Sequence, residues 1–221
     1  PAGSDRCLAS RQYLAQDDRW ASGCGLAPLC FPVKGNDDMT DTIQQGFHAI
    51  AAFVAVMWGV FFLSFILPFD IKALLGVTPR TLAGLAGIPA SPFVHASLGH
   101  LLANTVPLFV LLVLLAGSND QPWAIVIAVI LLSGTLLWLF GRNAVHVGAS
   151  GLIFGLVGFL VAYGFLEKRP VPLIVSVIVG FLYGGTLLSG IVPRIGSQMS
   201  WDGHLTGAVA GGLVACLATR G

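Results

Sequence analysis

Residues 148–166 read GASGLIFGLVGFLVAYGFL, a serine between two glycines followed by a long apolar run. As a helix, the run from Ser150 to Leu166 would be about 25 Å long, a little short of the ~30 Å hydrocarbon core of a bilayer. A polar group at the start of such a run lies slightly below the membrane surface. The tetrapeptide Gly148-Ala149-Ser150-Gly151 lies where a polar loop meets this apolar run.

The composition of the chain is that of a membrane protein. Of its 221 residues, 56% are hydrophobic and 10% are charged, whereas soluble domains carry about 25% charged residues. One soluble core could not bury this much apolar surface, so the sequence predicts an all-α polytopic membrane protein. The net charge of +1 and the absence of long charge runs exclude nucleic acid as a partner.

The chain divides into a polar segment and a hydrophobic region. Residues 1–45 are polar and mixed, and they are interpreted as an N-terminal extension of unknown role that contains Cys7, Cys24 and Cys30. The first long apolar run starts near Gly46 and is long enough to span the membrane rather than to be a cleaved signal peptide. Residues 46–221 are predicted to form one six-helix domain. The six predicted spans cover about 46–68, 98–117, 122–140, 149–166, 171–188 and 203–219.

The distribution of basic residues indicates the orientation. With the N-terminus inside, seven Lys and Arg residues lie on the cytoplasmic side and four lie outside, which favours this topology. The inner set is Arg6, Arg11, Arg19, Lys34, Lys168, Arg169 and Arg220, and the outer set is Lys72, Arg80, Arg142 and Arg194.

Three polar groups begin the even-numbered spans. His100 starts the second span, Ser150 the fourth and His204 the sixth. Even-numbered spans all run in the same direction, so these three side chains are expected on one side of the membrane. Small residues at intervals of about four on the fourth and sixth spans predict close packing of the two helices, which would bring Ser150 beside His204. These residues are Gly151, Gly155, Gly158, Gly203, Gly207 and Gly211.

The predicted cluster has the groups needed for acyl transfer. A serine hydroxyl becomes nucleophilic when a base accepts its proton, and neutral histidine can do so near pH 7. The unpaired backbone N–H groups at the start of a helix can hold an oxyanion. His100 and Asn104 are four residues apart, hence on one helix face, and both can donate hydrogen bonds to the same oxyanion.

Each signal has a structural interpretation when it is taken alone. A serine between glycines is a weak motif in a chain with 28 glycines. Taken singly, His48, His95 and His146 are interpreted as structural residues, and Asn104 could bond a neighbouring helix. The functional interpretation is favoured because polar groups from three separate spans converge, and polar groups inside spans are usually functional.

Three motifs resemble those of the rhomboid intramembrane serine proteases, in particular their bacterial members. The motifs are His100-Leu101-Leu102-Ala103-Asn104, Gly148-Ala149-Ser150-Gly151 and Gly203-His204, and the likeness extends to the stretches 91–95 and 200–204. The resemblance implies a six-helix rhomboid bundle and a serine-type endopeptidase with a dyad of Ser150 and His204. It also implies an oxyanion held by His100, Asn104 and the Ser150 backbone N–H.

Further residues and partners follow from the same resemblance. Phe154 is expected to stack on the base, His95 to lie near the oxyanion site, and Gly148 and Gly151 to adjoin the serine. The implied substrates are single-pass transmembrane proteins, cleaved in the cell membrane at a site that opens to the extracytoplasmic side. The fifth span would form a substrate gate, and the loop from Pro193 to Trp201, with Met199, would cap the site.

The sequence also departs from the resemblance in places. The Trp-Arg pair that many relatives carry in the first outer loop is absent, with Ala86-Gly87 near its place, which puts the stabilising bonds of that loop in doubt but not the dyad. Asp202 is interpreted as a loop residue rather than a third member of a triad. No metal or other cofactor is expected, because the dyad needs none and no His-Glu-x-x-His pattern occurs.

Two alternatives come from other functional classes. A catalytically silent rhomboid-like protein would bind or escort membrane clients, but it would have no reason to keep Ser150, His204, His100 and Asn104 together. A transporter or channel would be expected to carry ionisable residues in the middle of its spans, and the six spans have none there.

Overall fold

A computed structural model describes residues 36–193 and 200–220, with side chains from residue 46 onward. The described residues from 40 onward form one compact unit. Most of the predicted extension, including Cys7, Cys24 and Cys30, lies outside the described residues, as does Met199. The described helices are α1 (Asn36–Leu63), α2 (Ile71–Leu75), α3 (Gly87–Ala90), α4 (Leu98–Ser118), α5 (Pro122–Phe140), α6 (Ser150–Glu167), α7 (Pro170–Gly190) and α8 (Trp201–Ala218).

The prediction of an all-α, multi-pass membrane protein is confirmed. Within the part of the chain that the structure describes, five helices are long and apolar enough to cross a membrane: Gly46–Leu63 within α1, and the whole of α4, α5, α6 and α7. Helix α8 has the same 18-residue length as α6, but Asp202 and His204 in its first turn lower its mean hydropathy. The sixth span therefore stays a prediction.

Side-chain hydrogen bonds and a proline mark where three of the helices begin or end. Helix α1 ends at Leu63, before the predicted residue 68, because the next residues turn and the Ser64 hydroxyl bonds the Phe61 carbonyl at 2.6 Å. Helix α4 begins after Ser97, whose side chain accepts from the His100 backbone N–H at 3.2 Å. Pro170 opens α7, where its missing N–H costs nothing.

The α1–α4 loop, residues 64–97, is bonded to the end of α5. The Arg80 guanidinium donates to the carbonyl oxygens of Leu139 at 3.2 Å and Gly141 at 2.8 Å, at the end of α5. The Trp138 indole N–H donates to the Thr81 carbonyl at 2.8 Å. Arg80 thus neutralises orphan carbonyls at a helix C-terminus while it fixes the loop.

Helices α6 and α8 pack backbone against backbone, as the glycine spacing predicts. A Cβ atom on Gly207 would overlap the Gly151 carbonyl oxygen, and one on Gly211 would overlap the Gly155 carbonyl oxygen. Larger residues would hold the two helices apart. This contact sets the distance between the first turns of α6 and α8, where Ser150 and His204 lie.

Candidate active site

Ser150 is the first residue of α6, and its position depends on Gly148. Gly148 has φ +111°, a conformation that favours glycine, and a Cβ there would lie 2.6 Å from the His100 ring. The Gly148 backbone N–H donates to the Ser91 carbonyl at 2.9 Å. These contacts hold the segment before Ser150 against the α1–α4 loop and beside His100.

His204 is buried and held on two sides. Its ring stacks on the Phe154 ring with centroids 4.0 Å apart and an interplanar angle of 6°. Its Nδ1 lies 3.1 Å from the Gly190 carbonyl oxygen. A carbonyl only accepts hydrogen bonds, so Nδ1 carries the hydrogen and Nε2 of the neutral ring keeps a free lone pair. The ring is thereby set up as a proton acceptor at Nε2.

His100 and Asn104 face the same space from the first turns of α4. Asn104 is 3% exposed, and its side-chain nitrogen donates to the His100 carbonyl at 2.7 Å. An amide group carries two hydrogens on nitrogen, so the second remains for another acceptor. Two donors from one helix thus converge where a substrate oxygen could lie.

One cavity of about 650 Å³ brings the predicted residues together. Its lining includes Ser150, His204, His100, Asn104 and Phe154. The described residues contain no direct hydrogen bond between Ser150 and His204; such bonds are often longer without substrate. The arrangement combines a hydroxyl, a base with a free lone pair and hydrogen-bond donors, which is the inventory for acyl transfer.

The other predicted residues lie outside the cavity lining. Gly148 supports the His100 ring, and Gly151 faces Gly203 across the α6–α8 contact. His95 lies behind His100, with ring centroids 5.1 Å apart. Burial, aided by the nearby His100, lowers the pKa of His95 to about 4, while the Phe93 backbone offsets part of the shift. His95 is therefore neutral at pH 7.

Asp202 corrects one prediction from the sequence. It is not a loop residue: it lies in the first turn of α8 and is 5% exposed. Its carboxylate accepts from the Arg142 backbone N–H at 2.9 Å and pairs with the Arg142 guanidinium at 3.2 Å. His204 bonds the Gly190 carbonyl instead, so Asp202 is not the third member of a triad. The sequence feature that could have drawn attention to Asp202 is its position two residues before His204.

Helix α7 also contributes residues that the sequence did not single out. Tyr183 and Thr186 line the cavity on the side of α7. A shallow groove continues from there between α6 and α7, along Ile153, Val157 and Leu187. Nothing in the spacing of Tyr183 and Thr186 distinguishes them from lipid-facing residues, since helix rotation is set by tertiary packing.

A family model and several relatives match this chain. The sequence model of a family described as Rhomboid domain matches residues 82–221. An uncharacterised protein of Mycobacterium tuberculosis is 41% identical over 152 residues, covering 64% of this chain and 62% of the relative. An uncharacterised protein of Mycobacterium leprae is 41% identical over 143 residues, covering 60% and 56%.

A viral protein is more distantly similar. A protein of Acanthamoeba polyphaga mimivirus that carries a rhomboid name is 32% identical over 126 residues, covering 54% of this chain and 67% of the relative. The chain spans less than two thirds of the length of the two mycobacterial relatives.

Proposed function

Because the chain belongs to the rhomboid family, we propose that it is an intramembrane serine endopeptidase with a Ser150–His204 dyad. Its substrates are the transmembrane segments of single-pass membrane proteins. One observation supports this function above the others. Ser150, His204, His100 and Asn104 line a single cavity, and the Gly190 carbonyl leaves the Nε2 atom of His204 as the acceptor.

The chemistry is a two-step acyl transfer. The Ser150 oxygen attacks the scissile carbonyl while His204 Nε2 takes the hydroxyl proton. The oxyanion is held by the Ser150 backbone N–H with His100 and Asn104. As the C–N bond breaks, His204 gives its proton to the leaving nitrogen. Water, deprotonated by His204, then hydrolyses the acyl-enzyme and restores the serine.

Phe154 keeps the base in place through this cycle. Its ring lies flat against the His204 imidazole, and a flat aromatic face holds the ring plane without adding a second charged group. Asp202 has no part in proton transfer, since its carboxylate is occupied by Arg142 and Ser200.

The substrate approaches through the lipid. The groove beside Phe154, Tyr183 and Thr186 leads from the lipid-facing side of α7 toward the cavity. A transmembrane helix keeps its carbonyls in its own hydrogen bonds, so the segment must unwind locally before Ser150 can attack. The enzyme belongs to the cell membrane, with its site open to the extracytoplasmic side, as the charge distribution favours.

The test is labelling with a fluorescent fluorophosphonate, which reacts with activated serines. Purified wild type, Ser150→Ala and His204→Ala are compared in detergent, with folding checked by thermal unfolding. We expect labelling of wild type only. A folded wild type that no fluorophosphonate labels would refute the dyad and favour a protein that binds membrane clients. A labelled Ser150→Ala would refute Ser150 as the nucleophile.

A further inference from the structure

A polar cluster that the acyl-transfer chemistry does not use lies close in the chain to both reacting groups. The cluster consists of Arg142, His146, Ser200 and Asp202. Its His146 and Asp202 side chains are buried, whereas the Arg142 side chain is 47% exposed. Asp202 is 5% exposed, and its carboxylate receives the Arg142 backbone N–H at 2.9 Å, the Arg142 guanidinium at 3.2 Å and the Ser200 hydroxyl at 3.1 Å. A buried carboxylate without such donors would be costly, so the three bonds act as one unit.

His146 extends the cluster into the chain before the nucleophile. Its Nδ1 lies 2.8 Å from the Ser200 hydroxyl and its Nε2 lies 3.1 Å from the Arg142 carbonyl. The His146 backbone exchanges two 2.9 Å hydrogen bonds with Val77 of the α1–α4 loop. The segment 141–149 is thus bonded both to the start of α8 and to the α1–α4 loop.

The position of the cluster links both reacting groups. Arg142 and His146 lie in the segment that leads into Ser150, and Asp202 lies two residues before His204. Ser200 also caps α8, because its hydroxyl accepts from the Gly203 backbone N–H at 3.3 Å. Any shift of Asp202 therefore moves the first turn of α8, and with it His204, relative to Ser150.

We propose that Asp202 is a positioning residue, whose ion pair with Arg142 fixes the distance between His204 and Ser150. This inference rests on the proposed protease function. Asp202 acts through the backbone of α8 and touches neither the substrate nor the His204 ring, whose Nδ1 bonds Gly190. The α6–α8 glycine contact fixes how closely the helices approach, and the ion pair fixes the register of their first turns.

The experiment measures the reaction of Ser150 with a fluorophosphonate at several concentrations, giving the maximal rate kinact and the affinity KI. The variants are Asp202→Ala, Asp202→Asn, Arg142→Ala and the double variant Asp202→Ala/Arg142→Ala. Glu167→Gln is the matched control, since Glu167 pairs with Arg169 at 2.7 Å at the other end of α6. Rates are taken well below each variant's unfolding temperature.

We expect Asp202→Ala to lower kinact about 10- to 100-fold with KI unchanged, because small misplacements of reacting groups have effects of this size. Arg142→Ala should lower kinact less, since the backbone N–H of residue 142 still donates to Asp202. The double variant should be no slower than Asp202→Ala, because both substitutions remove the same ion pair. Asp202→Asn, which keeps the shape, should recover part of the rate, and Glu167→Gln should stay within about twofold of wild type.

Several outcomes would overturn the inference. A folded Asp202→Ala with wild-type kinact would refute positioning and leave the proposed function intact. If the kinact losses of the two single variants multiply in the double variant, the two residues act separately. Loss of folding in both Asp202 variants would make the residue purely structural. An unlabelled wild type would remove the proposed function, and this inference with it.

Discussion

Replacing Gly148 by alanine should slow catalysis, because the new side chain would displace the His100 ring. A Cβ at this position would lie 2.6 Å from the His100 ring, whereas ordinary contact begins at 3.4 Å. The ring must therefore move by about 0.8 Å, or the backbone must shift. Displacements near 1 Å cost up to about 100-fold in rate, and loss of one oxyanion donor costs about 10² to 10³.

The backbone conformation of Gly148 should also make the alanine variant less stable. Gly148 has φ +111°, and a non-glycine residue in such a region is destabilised by about 1 to 3 kcal/mol. We expect Gly148→Ala to lower kcat, or the maximal rate of fluorophosphonate labelling, about 10- to 100-fold, with a lower unfolding temperature. The assay is single-turnover labelling in detergent together with thermal unfolding of the same sample.

Gly99→Ala is the control for this prediction. Gly99 adjoins His100 in the first turn of α4, but a Cβ there meets nothing within 4 Å. Alanine also favours helix over glycine, so this variant should keep wild-type activity and stability. If Gly148→Ala labels at the wild-type rate, or if Gly99→Ala is equally slow, the argument from the His100 contact is wrong.

Three other predictions concern the base, the helix contact and pH. Phe154→Tyr should retain activity within a few-fold in the labelling assay, whereas Phe154→Ala should lose about tenfold or more because the stack at 4.0 Å disappears; equal rates in the two variants would contradict this role. Gly211→Ala should reduce the yield of folded protein in size-exclusion chromatography, because its Cβ overlaps the Gly155 carbonyl, while the adjacent Gly212→Ala, which meets nothing within 4 Å, should not. The lowered pKa of His95, about 4 against 6.5, means that the unfolded chain binds more protons between these values, so stability should fall as pH drops from about 6.5 to about 4. In thermal unfolding, His95→Leu should show a smaller loss over that range, and an unchanged pH dependence would refute the assignment.

The sequence alone determined the fold class and the grouping of the polar residues. Apolar runs near 20 residues must be helices in lipid, because each backbone group has to bond within its own segment. The order of the runs then assigned His100, Ser150 and His204 to one side, and the glycine spacing predicted the α6–α8 contact. The roles of Ser150, His204, His100 and Asn104 stay proposals that the labelling experiments test.

The tertiary structure decided what lies between distant parts of the chain. The tautomer of His204 depends on the Gly190 carbonyl, the burial of Asp202 depends on Arg142, and the α1–α4 loop is held by Arg80 at the end of α5. The prediction that Asp202 lies in a loop was wrong, because its place in the first turn of α8 depends on a partner 60 residues away in the chain. Periodicity and spacing report only local geometry, whereas hydrogen bonds between residues tens of positions apart depend on how the helices rotate and pack against one another.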